Sequence, residues 1–319
     1  MAVIHNIQDT KIKAETEALY GLDVHSIAPI PEGSENSNYL LATSEGEFVL
    51  TLFAEHYCEA QLEPRTHIMP FLALNGMAVP AIVPSQDGGY LTKIAGELAV
   101  LQPKLIGHHI TEAEIEREHV RAMATHLAMQ HCLPVPDDMK TLTHEYSLKK
   151  MHGFMKEIED FDHPHKEAVE AAKASLEKLS TKTFKSPLAI SHADLFPDNT
   201  LFSNGTTLTG VIDWWMACPL PCLLDLAIVA NAWCWDEEHK EPHITFMDSL
   251  EDTYRVLSML PYELWKEEWP LMLEFAALIF VVMRLRNPVM GKAQEILDAK
   301  PVDPWLSRLL YWQEHNKDL

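Results

Sequence analysis

Basic side chains are scarce in this chain: 25 Lys and Arg stand against 47 Asp and Glu, leaving a formal charge of −22 over 319 residues. A field of that sign repels phosphate backbones and anionic lipid surfaces, which counts against nucleic acid and membrane as partners. Long apolar runs are also missing. The most apolar stretch, Phe275 to Met283, is too short to cross a bilayer, and no N-terminal segment joins basic residues to a long hydrophobic run, so neither export nor membrane insertion is expected. Cysteines are few and odd in number: Cys58, Cys132, Cys218, Cys222 and Cys234. The close pair Cys218 and Cys222 has no second pair to complete a structural zinc site, and reduced thiols in a cytoplasmic protein are expected. Several catalytic signatures are absent: G-x-x-x-x-G-K-[ST], G-x-S-x-G, H-E-x-x-H and G-x-G-x-x-G do not occur. That argues against Walker nucleotidases, serine hydrolases, zincins and simple dinucleotide folds.

What is present is ample material for a core, with 47% apolar residues and eight Trp. The length exceeds one typical domain, so two lobes sharing a crevice are expected. Residues 38–52, NYLLATSEGEFVLTL, are two β-rich runs separated by Ser44, Glu45 and Gly46, a hairpin pattern. A helix is predicted over Arg65 to Leu74, and Gly76, Pro80 and Pro84 punctuate a further strand pair ending near Leu101. Gln102, Pro103 and Lys104 then read as a hinge. Beyond Gly107 the period turns helical, first over Glu112 to Gln130 with Ile115, Val120, Met123 and Leu127. Helices are predicted again from Asp225 to Trp235, Ile244 to Met259, Trp265 to Leu285 and Trp305 to Glu314. Between them, Pro187 to Asp213 reads as short strands carrying loops. The segment DFDHPHKE, with His163 and His165, reads as a solvated turn around Pro164. The expectation is an α+β, protein-kinase-like two-lobed fold. A small antiparallel-sheet lobe spans residues 1–104 and a larger, mainly helical lobe residues 105–319.

The informative segment is ISHADLFPDNTLFSNGTTLTGVID, residues 190–213. His192, Asp194 and Asn199 have the spacing H-x-D-x-x-x-x-N, and Asp213 follows. Phosphoryl transfer needs a carboxylate beside the attacking hydroxyl and further oxygen ligands to hold magnesium on the nucleotide phosphates. Asp194 is the candidate base, Asn199 and Asp213 the candidate metal ligands, and His192 an architectural residue. A lone H-x-D or I-D-W is common, and aspartates before turns often only cap them. It is the joint spacing in a strand–loop–strand setting that points to chemistry. Because the overall charge would repel ATP, a nucleotide site here needs a bound cation, and Mg2+ is expected with it.

These residues resemble the aminoglycoside phosphotransferase and choline kinase superfamily, whose signature loop reads here as HADLFPDN followed by VIDW. Within it the chain is most similar to bacterial homoserine kinases of the ThrB type, through ENSNYLLAT, FVLTLF, DLFPDNTLF and DLAIVANAWC. The resemblance implies ATP-dependent phosphorylation of the side-chain hydroxyl of L-homoserine, on the route to threonine. It also implies a phosphate-covering loop at Gly33, Ser34, Asn36, Ser37 and Asn38, with Gln102 and Lys104 beside the nucleotide, and a brace for the catalytic loop at Asp225. Where most kinases carry a phosphate-binding Lys, this sequence has Thr51, and no Lys–Glu pair can be assigned near Gln61. A kinase of choline, methylthioribose, an aminoglycoside or a sugar would share the same loop, and the missing Lys is what a non-catalytic pseudokinase would display.

An amino-acid acceptor needs a cation for its carboxylate, and the fork of Arg fits a planar anion. Arg284 is the candidate, although a basic residue near a helix end often serves only as a C-terminal cap. Asp236, or Glu237 beside it, is the candidate for the acceptor's ammonium. Trp233 is a candidate pocket wall, though aromatics more often fill cores.

Overall fold

A computed structural model describes residues 9–31, 36–142 and 146–319. The chain divides into two compact units. The first comprises the described residues up to His108 together with Leu201–Ser203 and Leu208–Trp215. The second comprises His109–Thr200, Asn204–Thr207 and Met216–Leu319.

The first unit opens with α1 (Asp9–Tyr20), β1 (Val24–Ile30), β2 (Ser37–Thr43) and β3 (Gly46–Leu52), continues through α2 (Glu59–Thr66) and α3 (Ile68–Leu74), and ends with β4 (Thr92–Ile94) and β5 (Glu97–Pro103). The strands form one antiparallel sheet in the order β1-β2-β3-β5-β4. The hairpin closes at Thr43 opposite Gly46, so only Ser44 and Glu45 form the turn. Alternation along β2 buries Ser37, Tyr39 and Leu41, as a sheet covered on one face requires. Tyr39 and Leu41, with Ile12 of α1, Val24, Leu50, Leu52, Ile94 and Leu101, belong to the core of this unit. β5 lies between β3 and β4, and its residues Ala99 to Gln102 are all buried.

One expectation needs correction here. The helix expected over Arg65 to Leu74 is two helices meeting at His67, the first starting six residues earlier. Gln102 and Pro103, expected as part of a hinge, are the last residues of β5, paired with Val49 and Phe48. The apolar run through Leu101 continues as a ladder because β3 supplies its partner. Gly107 has φ +144, and a Cβ there would lie 2.6 Å from Thr209 Oγ1, so only glycine fits beside the His108–Phe202 bridge.

The second unit begins with α4 (Arg117–His131), α5 (Leu148–Glu159), α6 (Lys166–Ser180) and β6 (Leu188–Ser191). β7 (Thr200–Ser203) and β8 (Thr207–Val211) form a hairpin whose strands lie largely in the first unit. β9 (Cys218–Pro221) pairs with β6, and α7 (Cys222–Trp233) follows. A two-residue ladder, β10 (Trp235–Asp236) with β11 (Glu241–Pro242), leads to α8 (Ile244–Ser258), α9 (Tyr262–Val289), α10 (Gln294–Ala299) and α11 (Asp303–His315). Every residue of α7 is buried, the mark of a central helix. α9 packs on α7, α6, α5 and α11. It runs past both limits read from the sequence, tolerating Pro270 and Pro288 within its length. His163 is not solvated: it is 2% exposed and its Nε2 lies 3.1 Å from the Leu285 carbonyl. Among the described residues no helix is long and apolar enough to cross a membrane.

Candidate active site

The loop after β6 is held from behind by a single carboxylate. Asp225, in the first turn of α7 and wholly buried, accepts the backbone N–H of His192 at 3.0 Å on Oδ2 and that of Ala193 at 2.9 Å on Oδ1. His131 Nε2 lies 3.1 Å from the same Oδ2, and its Nδ1 lies 2.8 Å from the hydroxyl of Tyr254. Burial pushes the Asp225 carboxyl upward, but the His131 hydrogen bond and charge, the Ala193 N–H and His192 outweigh it and hold the group below its usual range. Burial, with the neighbouring His192 and His131, pulls buried His126 down to about 3, so that ring is neutral near neutral pH. Gln130 Nε2 donates to the Ile190 carbonyl at 2.8 Å, tying α4 to the end of β6.

Within the loop, His192 is buried and its Nδ1 accepts the Asp194 N–H at 3.3 Å. Phe196 N–H and Asn199 Nδ2 both donate to the Asp194 carbonyl, at 3.0 and 2.7 Å. Trp233 Nε1 donates to the Leu195 carbonyl at 3.0 Å. These bonds hold the loop backbone, and the Asp194 side chain that it carries is half-buried. Ala193 sits at φ +70, and Asp213 in the first unit at φ +64. Left-handed backbone at a non-glycine residue costs about 1–2 kcal/mol and gathers at functional turns.

The Asn199 amide nitrogen is committed to the loop, so its Oδ1 is the oxygen left as an acceptor, the donor type that magnesium takes. Asp213 is an exposed carboxylate of the first unit, following β8 and preceding buried Trp214, whose Nε1 donates to the Val211 carbonyl at 2.9 Å. Among the described residues no three His, Cys, Asp or Glu side chains cluster as a metal site. Amide and carboxylate oxygens such as those of Asn199 and Asp213 suit a hard cation better than zinc.

In the first unit, Thr51 is 4% exposed and its hydroxyl donates to Asn38 Oδ1 at 2.8 Å. Asn36 Oδ1 accepts the Ala54 N–H, and Ser37 is buried. Gly33 and Ser34 lie outside the described residues. The Gln102 side chain points into the core, with Nε2 3.0 Å from Met69 Sδ and 3.1 Å from the Pro80 carbonyl, and Lys104 pairs with Glu47 at 2.8 Å.

The acceptor-side candidates separate sharply. Trp233 is 1% exposed and serves the Leu195 carbonyl, so it braces the loop. Asp236 accepts from the N–H groups of Glu238 and His239 and pairs with His239 Nδ1 at 2.8 Å, so it organises its own turn and is not left open for an ammonium. Glu237 is bound by Arg308 at 2.6 Å. Arg284 does not end its helix, because α9 continues to Val289. Its guanidinium stacks against Phe280 and Trp305, at 5.5 and 5.0 Å from the ring centroids. Phe196 of the loop after β6 packs on the same two rings, at 5.1 and 5.7 Å. Sequence reasoning missed His131, Tyr254, Trp305 and Arg308, none of which stands in a motif.

Comparison with known proteins defines the chain as a phosphotransferase. Residues 26–259 match the family model described as "Phosphotransferase enzyme family", and the chain belongs to that family. It is 32% identical to the homoserine kinase of Gluconobacter oxydans over 95% of this chain and 97% of that protein. It is 29% identical to the homoserine kinase of Bartonella henselae over 98% of this chain and 95% of that protein. Among solved structures it resembles an amicoumacin kinase in complex with AMP-PNP, Ca2+ and Ami, with a TM-score of 0.70 and 15% identity, covering 95% of this chain and 93% of that one. The α+β, kinase-like fold expected from the sequence is the one observed, and the chain is a kinase.

Proposed function

We propose that this protein transfers the γ-phosphoryl group of ATP to the side-chain hydroxyl of L-homoserine, giving O-phospho-L-homoserine and ADP in the cytoplasm, as a step of threonine biosynthesis. The observation that carries the reading is the braced loop of Asp225, His192 and Asp194 in a chain about 30% identical to homoserine kinases along nearly its whole length. The acceptor oxygen bonds to the γ-phosphorus as the bond to the bridging β–γ oxygen breaks, and the hydroxyl proton passes to the Asp194 carboxylate. The chain's task is to keep that carboxylate still, and the bonds to Leu195, Asp194 and Ala193 backbone groups do so. Asn199 and Asp213 are the residues that would hold Mg2+, which when bound neutralises phosphate charge. Asn36, Ser37, Asn38 and Thr51, with Gly33, Ser34, Lys104 and the backbone of Gln102, are the proposed nucleotide side. With Thr51 hydrogen-bonded to Asn38, β3 contributes no cation there, which makes the bound metal the more necessary.

The test is ADP release by the purified protein with ATP and magnesium across L-homoserine, choline, methylthioribose and an aminoglycoside. Turnover with homoserine alone is expected. Phosphorylation of the other acceptors without homoserine, or no magnesium-dependent turnover at all, overturns the assignment.

A further inference from the structure

Two arginines flank one indole in the second unit, and among the described residues only one of them forms a salt bridge. Arg308, 4% exposed, lies 5.0 Å from the Trp305 centroid and 4.9 Å from that of Trp235. Its Nε donates to the Asn231 carbonyl at 2.9 Å, its Nη1 to the Pro304 carbonyl at 2.7 Å, and its Nη2 meets Glu237 at 2.6 Å. Asn231 is itself fixed, donating to the Ala227 and Leu273 carbonyls and accepting from Trp312 Nε1. All three guanidinium nitrogens of Arg308 have a partner, and Glu237 balances its charge.

Arg284 lies 5.0 Å from the same Trp305 ring, yet its hydrogen bonding is one long contact, 3.3 Å from Nη1 to the Phe280 carbonyl. Its Nε is shielded from solvent and has no partner, and no carboxylate pairs with it among the described residues. Burial draws its pKa down to about 10, while the charge of Asp194 acts in the opposite direction. Leaving a shielded guanidinium donor unmade is unfavourable in a folded protein unless something else completes it. The arginine shares its aromatic platform with Phe196, two residues from Asp194.

We propose that Arg284 is the receptor for a carboxylate on the acceptor, and that it sets acceptor charge by favouring hydroxy acids and rejecting cationic alcohols. The proposal rests on the homoserine reading and adds which end of the molecule is recognised and by what. Planar guanidinium and planar carboxylate match in a fork, and the stacked Trp305 holds the fork in one orientation. Discrimination against choline-like cations follows from like-charge repulsion in a partly dehydrated site.

The experiment measures kcat/KM for L-homoserine, L-homoserine amide and 4-hydroxybutanoate in the parent and in Arg284→Gln and Arg284→Lys. The parent should prefer homoserine over its amide by about 100-fold or more, as for a charge pair shielded from water. Arg284→Gln should bring that ratio to within about 5-fold through loss of homoserine activity, with the KM for ATP unchanged, and Arg284→Lys should restore part of it. Should Arg284→Gln not fold by thermal melt, the Lys variant carries the comparison, because loss of the fork alone should cut the ratio at least tenfold. A parent enzyme that phosphorylates the amide as well as homoserine, or variants that keep the parental ratio, would overturn the role. If the parent ignores homoserine but phosphorylates 4-hydroxybutanoate and loses it with Arg284→Gln, the homoserine reading fails while the carboxylate receptor stands.

Discussion

Replacing Asp225 by Asn keeps the shape of the brace and removes its charge. In the folded protein three donors converge on this carboxylate, the N–H groups of His192 and Ala193 and the ring of His131, at 3.0, 2.9 and 3.1 Å. The amide retains one acceptor oxygen and turns an NH2 group toward at least one of those donors. Hydrogen bonds to a charged group contribute about 1.5–3 kcal/mol each, and removing one partner of a buried charged set costs about 3–5 kcal/mol, because what remains is left dehydrated. The loop also loses what holds Ala193 at φ +70. At about 2–4 °C per kcal/mol, the melting temperature should fall by roughly 6–20 °C. The pH dependence has a definite sign. The Asp225 carboxyl is held below its ordinary value of 3.8 in the folded state, so its stabilisation is present above that value and fades as pH falls through the folded pKa. Thermal unfolding of parent and variant should therefore differ by a constant gap from about pH 7 to about pH 5, closing only in more acid solution. A gap below about 2 °C at neutral pH, or one that widens on acidification, would refute the reasoning.

Other substitutions report on separate parts of the site. Asp194→Asn should lower kcat by about 10²–10⁴ while nucleotide affinity, titrated by fluorescence, stays as in the parent. Asp213→Ala should weaken ATP binding measured with magnesium and flatten the dependence of rate on magnesium concentration; an unchanged dependence contradicts its assignment. Trp233→Phe removes the donor to the Leu195 carbonyl and should cost about 1–3 kcal/mol in unfolding measurements, with kcat falling while the KM for ATP holds.

The parts legible in the sequence are those whose causes are local. The β2–β3 hairpin alternates with period two and closes on a Gly, so its text states both the strands and the turn. The loop residues His192, Asp194 and Asn199 fall within eight positions, and their spacing can be read without coordinates. The brace behind them could not be read this way. His131 is 94 residues from Asp225 and 123 from Tyr254. In the text it looks like a basic residue ending a helix, which the dipole alone would explain. α1 carries few apolar residues and those of β1 do not alternate, so only packing against the sheet gives Ile12 and Val24 their meaning. Trp233 reads as a wall and serves as a brace, because burial and hydrogen-bond direction belong to the tertiary structure. The separation of Arg284 from Arg308 is of the same kind, since both are arginines on apolar helices until the partner of each is known.

The most direct measurement is phosphorus NMR and mass analysis of the product formed from ATP, magnesium and L-homoserine by the parent protein and by Asp194→Asn. One phosphomonoester on the side-chain oxygen, formed in step with ADP by the parent and nearly lost in the variant, is the expected result. ADP release without that ester, or equal ester formation by both proteins, would contradict the account.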